Sequence, residues 1–397
     1  MAYIPPHKRH SKGPGGSSSP SPDLLSPLFN KNLKFRSSRT NNAHHKSWKI
    51  VYADKAISKF FVVGLDEDNQ FPASVHLQPV SLESHERKVG EKPLALINTH
   101  QSESFLRNPW DYIAENVLED LVSSYEDVRT EMAESPDLEE VRPTLVARFG
   151  EIRFRGRPSL EEESVSENTL RQLKRSFYTN VPDSYLEYII KEGAPKIGVK
   201  FEEEKDVYHV KLSDSTRPDS TISVKCSVLK ELGKLQLYKI ELNQVRHMVM
   251  DISCLEKNMD LRLMLCTKRI ITALSDDDMK CVRDLINGAV LDPEVKGGLR
   301  WPLGKAACGD KFSVVGVWHT AVKSYKNSSM RLKVRDADRF DFRTSTGEAS
   351  REIIIKLKGV ASKLQEQQVD LNLINEMLKD DLKVLWNNFF RCEPFLT

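Results

Sequence analysis

Between Val207 and Leu291 apolar and polar residues alternate through five short segments, after which the apolar period lengthens to that of a helix. Few folds accommodate such a stretch. Successive side chains on a strand point to opposite faces, so Tyr208, Val210 and Leu212 share one face with Ile222, Val224 and Cys226 when the segments pair. Met248, Met250, Ile252 and Cys254 continue the pattern, and Met259, Leu261, Leu263 and Leu265 complete it. A slip of one residue would turn that whole apolar face to water, so the alternation specifies pairing as well as strands. The expectation is an antiparallel meander with one apolar face and one polar, solvated face.

The helix after the meander is signalled by its own chemistry. Ser275 caps it, and Asp276, Asp277 and Asp278 meet the positive end of its dipole. Cys281, Val282, Leu285, Ile286 and Ala289 form its apolar stripe, and Asn287-Gly288 or Pro293 ends it. The expectation places it across the apolar face of the sheet.

The rest of the chain divides by composition. Residues 1–47 are rich in Pro, Ser, Gly, Asn and Lys and hold too little apolar surface to offset ordering, which predicts a disordered basic tail. Residues 48–156 read as a mixed α+β module: strands at 49–53, 57–65, 75–80 and 94–97, a helix opened by Asn108-Pro109, and a strand at 145–155. After an acidic linker, residues 169–397 read as a larger antiparallel-sheet module. It carries helices at 170–177 and 184–191, the meander, and further strands at 312–322, 330–334, 340–342 and 353–357. In its closing helix Leu371, Ile374, Leu378, Leu382, Leu385 and Phe389 make one apolar face. The fold class is therefore α+β, antiparallel sheets packed with a few amphipathic helices.

No run of about 18 apolar residues occurs, which argues against a membrane-spanning helix. The start lacks the apolar stretch of a secretory signal. Six cysteines (Cys226, Cys254, Cys266, Cys281, Cys308, Cys392) form no CxxC pair, and four of them sit in apolar patterns. They read as reduced thiols of a cytoplasmic or nuclear protein. The net charge of +2 hides an asymmetry: residues 1–49 hold nine Lys or Arg against Asp23 alone, while residues 111–140 hold eleven acids against Arg129.

Enzyme motifs are scarce. The loop from Gly298 to Lys305 has five residues between its glycines and Ala306 after its Lys, where a phosphate-binding loop needs four and a Ser or Thr. His44-His45 lack further ligands in the tail, and His209, His247 and His319 read as ordinary strand histidines. Asp251 and Asp260 read as part of a solvated polar face rather than an acid/base pair. No cofactor or metal is expected. Basic residues are the more telling feature: Arg331, Lys333 and Arg335 alternate with Leu332 and Val334 and project from one face. Arg339 and Arg343 extend them, Lys356 and Lys358 repeat the arrangement, and Arg153, Arg155 and Arg157 make a second patch. Such a stripe suits a phosphate backbone.

Two resemblances accompany this reading. From Met1 to His10, through Lys296 to Gly304 and Arg339 to Arg343, the chain resembles a family of uncharacterised plant proteins. The peptide Tyr3-Ile4-Pro5-Pro6-His7-Lys8-Arg9 is similar to a segment in the N-terminal tails of some DEAD-box RNA helicases, with Lys8 in place of Leu. That resemblance implies a docking peptide for a translation-related partner. The functional expectation is a non-enzymatic nucleocytoplasmic binding protein with RNA as its ligand. Two other classes compete with it. One is a protein-interaction scaffold using Tyr3 to Arg9 and the closing helix; the other is an enzyme with a site around His209, Asp251, Arg262 and Trp301.

Overall fold

Where the alternation holds, the chain is strand; where the period changes, it is helix. The computed structural model describes residues 50–64, 71, 74–80, 92–99, 108–134, 139–155, 165–217, 221–229, 233–255 and 257–390. The tail 1–47, with its Tyr3 to Arg9 peptide, and Arg157 lie outside the described residues.

In chain order the elements begin with β1 (Val51–Val63), β2 (Val75–Pro79) and β3 (Leu94–Asn98). Helix α1 (Pro109–Ala133) follows, with Pro in its first turn, where a missing N–H leaves no hydrogen bond unmade. Next come β4 (Glu139–Arg155), the short α2 (Glu167–Gln172) and β5 (Lys174–Tyr178). Here the structure departs from the helix expected over 170–177: Ser166 caps a six-residue helix, and Lys174–Tyr178 then pairs with β4. Sheet pairing overrides a weak helical period. Helix α3 (Asp183–Tyr188) continues through a π turn, Ile189–Gly193.

The meander supplies β6 (Lys200–Asp214), β7 (Thr221–Leu229), β8 (Lys234–Glu241), β9 (Val245–Cys254) and β10 (Asp260–Ile271), then α4 (Asp276–Asn287). The Ser275 hydroxyl accepts from the Asp278 N–H at 3.2 Å, as its capping role requires. Three two-residue strands follow, β11 (Val290–Leu291), β12 (Leu299–Arg300) and β13 (Ala307–Cys308), then β14 (Phe312–Lys326), β15 (Met330–Asp341) and β16 (Thr346–Leu357). Helices α5 (Lys358–Leu364) and α6 (Leu371–Phe389) come last. The two strands expected at 330–334 and 340–342 are one continuous β15, which puts Arg331 and Arg339 on the same strand.

Strand order makes the architecture. Neighbours run β8-β7-β6-β14-β15-β16-β4; β4 then pairs with β10, and β10 pairs with β8 through Ile270 opposite Glu241. The sheet thus closes on itself as an eight-stranded antiparallel barrel. At this strand number the interior has room for side chains or one small ligand. β9 continues β8 along β10 and pairs on its other side with β1 in parallel. β4 joins parts of the chain that the sequence divides near residue 156: its 17 residues pair with β10 and β16 and also with β3 and β5. All described residues fall within one compact unit.

The apolar faces point outward, under helices. Leu261, Leu263, Leu265, Met248, Met250, Leu332, Val334 and Ile355 share one core with the apolar stripes of α1 and α6. Burial of each such side chain stabilises by roughly 1.5–3 kcal/mol. The α6 face built from Ile374, Leu378, Leu382, Leu385 and Phe389 is consumed by this core, while Leu371 at its start stays exposed. Helix α4 covers only the sector of β6, β7, β8 and β14, through Val282, Leu285 and Ile286. Cys281 on α4 is disulfide-bonded to Cys308 on β13, a correction to the expectation of six reduced thiols. The reason is spatial: the chain returns to α4 at β13 and brings the two Cα atoms to 5.7 Å. Cys226, Cys254 and Cys266 are buried and free. No described helix is long and apolar enough to cross a membrane.

Candidate functional site

Because the apolar face of each wall strand is outside, the polar face encloses the barrel axis. Directly opposed residues in an antiparallel pair share a face, and the register can be followed around the wall. Lys239 opposes Lys225, Lys225 opposes His209, His209 opposes Trp318, and Trp318 opposes Arg339. Lys211 lies two residues beyond His209 on the same face of β6. On β15, Arg335 and Lys333 lie on the Arg339 face by period two; Arg335 opposes Glu352, and Lys333 opposes Ile354. Ile354 in turn opposes Arg148, and Arg148 opposes Arg262 on β10. Lys356 and Lys268 stand on the same inner face, two and six residues along their strands from Ile354 and Arg262. Every wall strand therefore places a cation on this face; on β14 it is the half-exposed Lys326 at one end, opposite Arg331, and Trp318 stands at mid-strand.

Two buried carboxylates, Glu241 and Glu352, compensate this charge along the middle of the lumen, and at one end the half-buried Glu202 and Glu203 pair with Arg331 and Lys326. Glu241 bridges Lys225 and Lys239, each at 2.7 Å. Glu352 is paired with Arg339 and lies 4.0 Å from Arg335. Both carboxyls are held at about 2: burial would raise them, but the surrounding Lys and Arg charges prevail and lower them. The cations move the other way. Burial, reinforced by repulsion among them, pushes Lys211 and Lys333 down to about 7, Lys356 to about 8 and Arg148 to about 10. Lys268 and His209 are driven well below their ordinary values by the same causes. The space is still reached by water: the side chains of Lys225, Arg335 and Arg339 keep 16%, 18% and 21% of their exposure. That water screens the charges more than a dry core would.

Several lumen donors find no partner among the described residues. They are Arg148 Nε, Arg335 Nε, Trp318 Nε1 and the hydroxyls of Ser223 and Ser324. Trp318 is held in place from both sides, with the His209 ring stacked at 4.8 Å and the Arg339 guanidinium 4.5 Å from its ring centre. Its indole N–H has no hydrogen-bond partner among the described residues. Fixed donors and excess positive charge in a concave site are the ingredients of an anion receptor.

The expected basic residues separate into inner and outer sets. Lys333, Arg335 and Arg339 line the lumen, and Arg331 lies on the same face, paired with Glu203 at 2.9 Å. Arg343 sits past the end of β15, against Asp341. Arg153 pairs with Glu151 and covers the Tyr178 ring at 4.2 Å; Arg155 opposes Lys174 on β5. Lys358 starts α5 and so leaves the strand pattern of Lys356. Of the residues expected to make an enzyme site, Asp251 and Arg262 meet, while His209 and Trp301 stand apart from each other. His209 is in the lumen, and Asp251 is clamped by Arg262 through bonds of 2.5 and 2.9 Å. Trp301 packs outside, donating to the Leu285 carbonyl of α4. Asp260 ties strands together: it accepts from the Ile152 and Cys254 N–H groups and the Ser253 hydroxyl, and burial raises it to about 7. Among the described residues no cluster of three His, Cys, Asp or Glu could hold a metal ion.

Sequence reasoning overlooked Arg148, Lys211, Lys225 and Lys268 as site residues. The signal was present in the repetition of one sign of charge on the polar side of strand after strand, including Lys205, Lys211, Lys225 and Lys239. An open sheet gives such residues to solvent; a closed one gathers them.

The fold and site define a closed barrel with a basic interior, and the chain belongs to a family described as a domain of unknown function (DUF7903), which matches residues 44–389. The chain matches no curated protein. Among solved structures it is similar to the Pct1 RNA triphosphatase of S. pombe, at 10% identity and a TM-score of 0.41, over 72% of this chain and 92% of that one. It is also similar to the RNA triphosphatase domain of a mimivirus mRNA capping enzyme, at 10% identity and a TM-score of 0.30, over 68% and 98%. A putative adenylate cyclase from Bacillus halodurans matches at 9% identity and 0.23, over 55% and 95%.

Proposed function

We propose that this protein is an RNA-associated binding protein whose barrel lumen receives a chain of phosphates at an RNA end. The charge balance of the lumen is the main support. Arg148, Lys211, Lys225, Lys239, Lys268, Lys333, Arg335, Arg339 and Lys356 face Glu241 and Glu352, which are already paired, while Glu202 and Glu203 at one end of the same face are taken up by Arg331 and Lys326. Surplus buried charge of one sign is costly unless a counter-charge fills the space. An eight-stranded barrel admits a single slender group, not a folded duplex. A phosphate chain has that width and charge, and it can accept from the Ser223, Ser324, Trp318 and arginine donors that have no partner among the described residues. Binding without turnover fits the lumen carboxylates, since each is engaged by cations rather than free to act as a base.

The test is fluorescence anisotropy with one RNA sequence carrying a 5′-triphosphate or a 5′-hydroxyl, each across a salt series, with inorganic tripolyphosphate as competitor. The triphosphorylated end is expected to bind at least about tenfold more tightly, with a steeper salt dependence. Competition by tripolyphosphate would identify the phosphates as the recognised group. Equal affinity for both ends, undisturbed by the competitor, would overturn the reading.

A further inference from the structure

The lumen cations are not spread evenly. Glu352 sits among Arg148, Arg335 and Arg339, which share its charge. Lys225, Lys268, Lys333 and Lys356 come from four different strands, β7, β10, β15 and β16; Lys225 lies within electrostatic reach of the other three, and Lys356 within reach of Lys268 and Lys333. The carboxylate near them, Glu241, is already bridged by Lys225 and Lys239. Two hydroxyls with no partner among the described residues adjoin this half: Ser324 opposes Lys333, and Ser223 opposes Glu241. Both serines are more than nine-tenths buried, at 1% and 4% exposure.

Resting on the reading of the lumen as a phosphate receptor, we propose that Lys225, Lys268, Lys333 and Lys356 form a subsite for a free phosphate group, one that carries no divalent cation. Filling this subsite draws protons onto the lysines. A metal-bound phosphate would bring a further positive ion into a cluster of positive ions, with no unpaired carboxylate to receive it, and like-charge contact of that kind is strongly unfavourable. The proton uptake follows from crowding. The charged groups facing the cluster are Arg148 on β4, Glu202, Glu203 and Lys211 on β6, Lys239 and Glu241 on β8, Lys326 on β14, Arg331, Arg335 and Arg339 on β15, and Glu352 on β16, with Glu202 and Glu203 held by Arg331 and Lys326; His209 on β6 is the neighbouring titratable ring. The uncharged polar groups that β14 contributes are Trp318, Ser324 and Thr320, whose hydroxyl donates to the Val207 carbonyl. With cations in such excess, the empty cluster sheds part of its charge near neutral pH, as the lowered Lys333 and Lys356 show. An incoming dianion reverses this and restores the ammonium form.

The experiment is titration calorimetry of the full chain with inorganic tripolyphosphate at pH 7, in EDTA or in excess Mg²⁺, and in two buffers of different ionisation enthalpy. The double variant Lys333→Arg with Lys356→Arg keeps the positive charge and removes the titration. Wild type is expected to bind in EDTA, to bind at least about tenfold more weakly in excess Mg²⁺, and to take up about half a proton more than the double variant. The ligand's own protons cancel in that difference. A requirement for Mg²⁺, or equal proton counts in the two proteins, would overturn the proposal while leaving the lumen a phosphate site. Absence of binding under every condition would instead remove the phosphate reading itself, and this subsite with it.

Discussion

Replacing Glu352 by Gln tests whether the lumen is as charged as its geometry says. Glu352 is 1% exposed, paired with Arg339 and close to Arg335 and Arg148. Its carboxyl is held at about 2 against an ordinary value of 4.5, so its ionised form is favoured in the fold. Each unit of such a shift is worth about 1.4 kcal/mol, which makes the contribution about 3 kcal/mol at neutral pH. A second route gives the same size, since removing one partner of a buried ion pair costs about 3–5 kcal/mol. The sign follows from linkage. A carboxyl lowered in the fold stabilises fully above its unfolded value, and the stabilisation disappears as pH falls through the folded one. Urea unfolding should therefore show Glu352→Gln less stable than wild type by about 3 kcal/mol at pH 7. The gap should close as the pH approaches about 2–3. Inorganic phosphate should narrow it at pH 7 by standing in for the lost anion. A loss below about 1 kcal/mol, or a gap that does not change with pH, would contradict a lumen held by buried charge.

Further outcomes are expected from other parts of the molecule. Thiol titration of the denatured chain should find two more reactive cysteines after reduction than before, because Cys281 and Cys308 are joined. Reduction should lower stability by roughly 3–4 kcal/mol, the loop-closure contribution for a separation of 27 residues; an unchanged thiol count would contradict the pairing. Leu382→Ala, in the core that α6 shares with α1, should cost about 2–5 kcal/mol by chemical denaturation. Ser275→Ala should cost about 1 kcal/mol through loss of the α4 cap, and no change would remove that role from the hydroxyl.

The strands and their faces were readable because alternation is a local property. Tyr208, Val210 and Leu212 pair with Cys226, Val224 and Ile222 as the pattern requires, and Leu261, Leu263 and Leu265 oppose Ile252, Met250 and Met248. What alternation cannot carry is which edges meet. β4 reaches β10 across more than a hundred residues, and β16 returns to β4 from farther still. Those two pairings turn the polar face from outside to inside. Before closure Lys211, Lys225 and Lys268 look like solvated surface; after it they share one enclosed space with Arg335. The stripe of Arg331, Lys333 and Arg335 was visible as a charged face, and its direction depended on a closure encoded far away. The disulfide was hidden for the same reason, since the return of β13 to α4 is a tertiary event.

If the lumen, rather than the overall charge of the chain, binds phosphate, two substitutions that change net charge equally must differ in effect. These are Lys268→Glu inside the barrel and Lys280→Glu on the exposed side of α4. Tripolyphosphate affinity should fall by at least about a hundredfold in the first and stay within about twofold in the second. Equal losses in both variants, or retained affinity in Lys268→Glu, would contradict a binding site within the barrel.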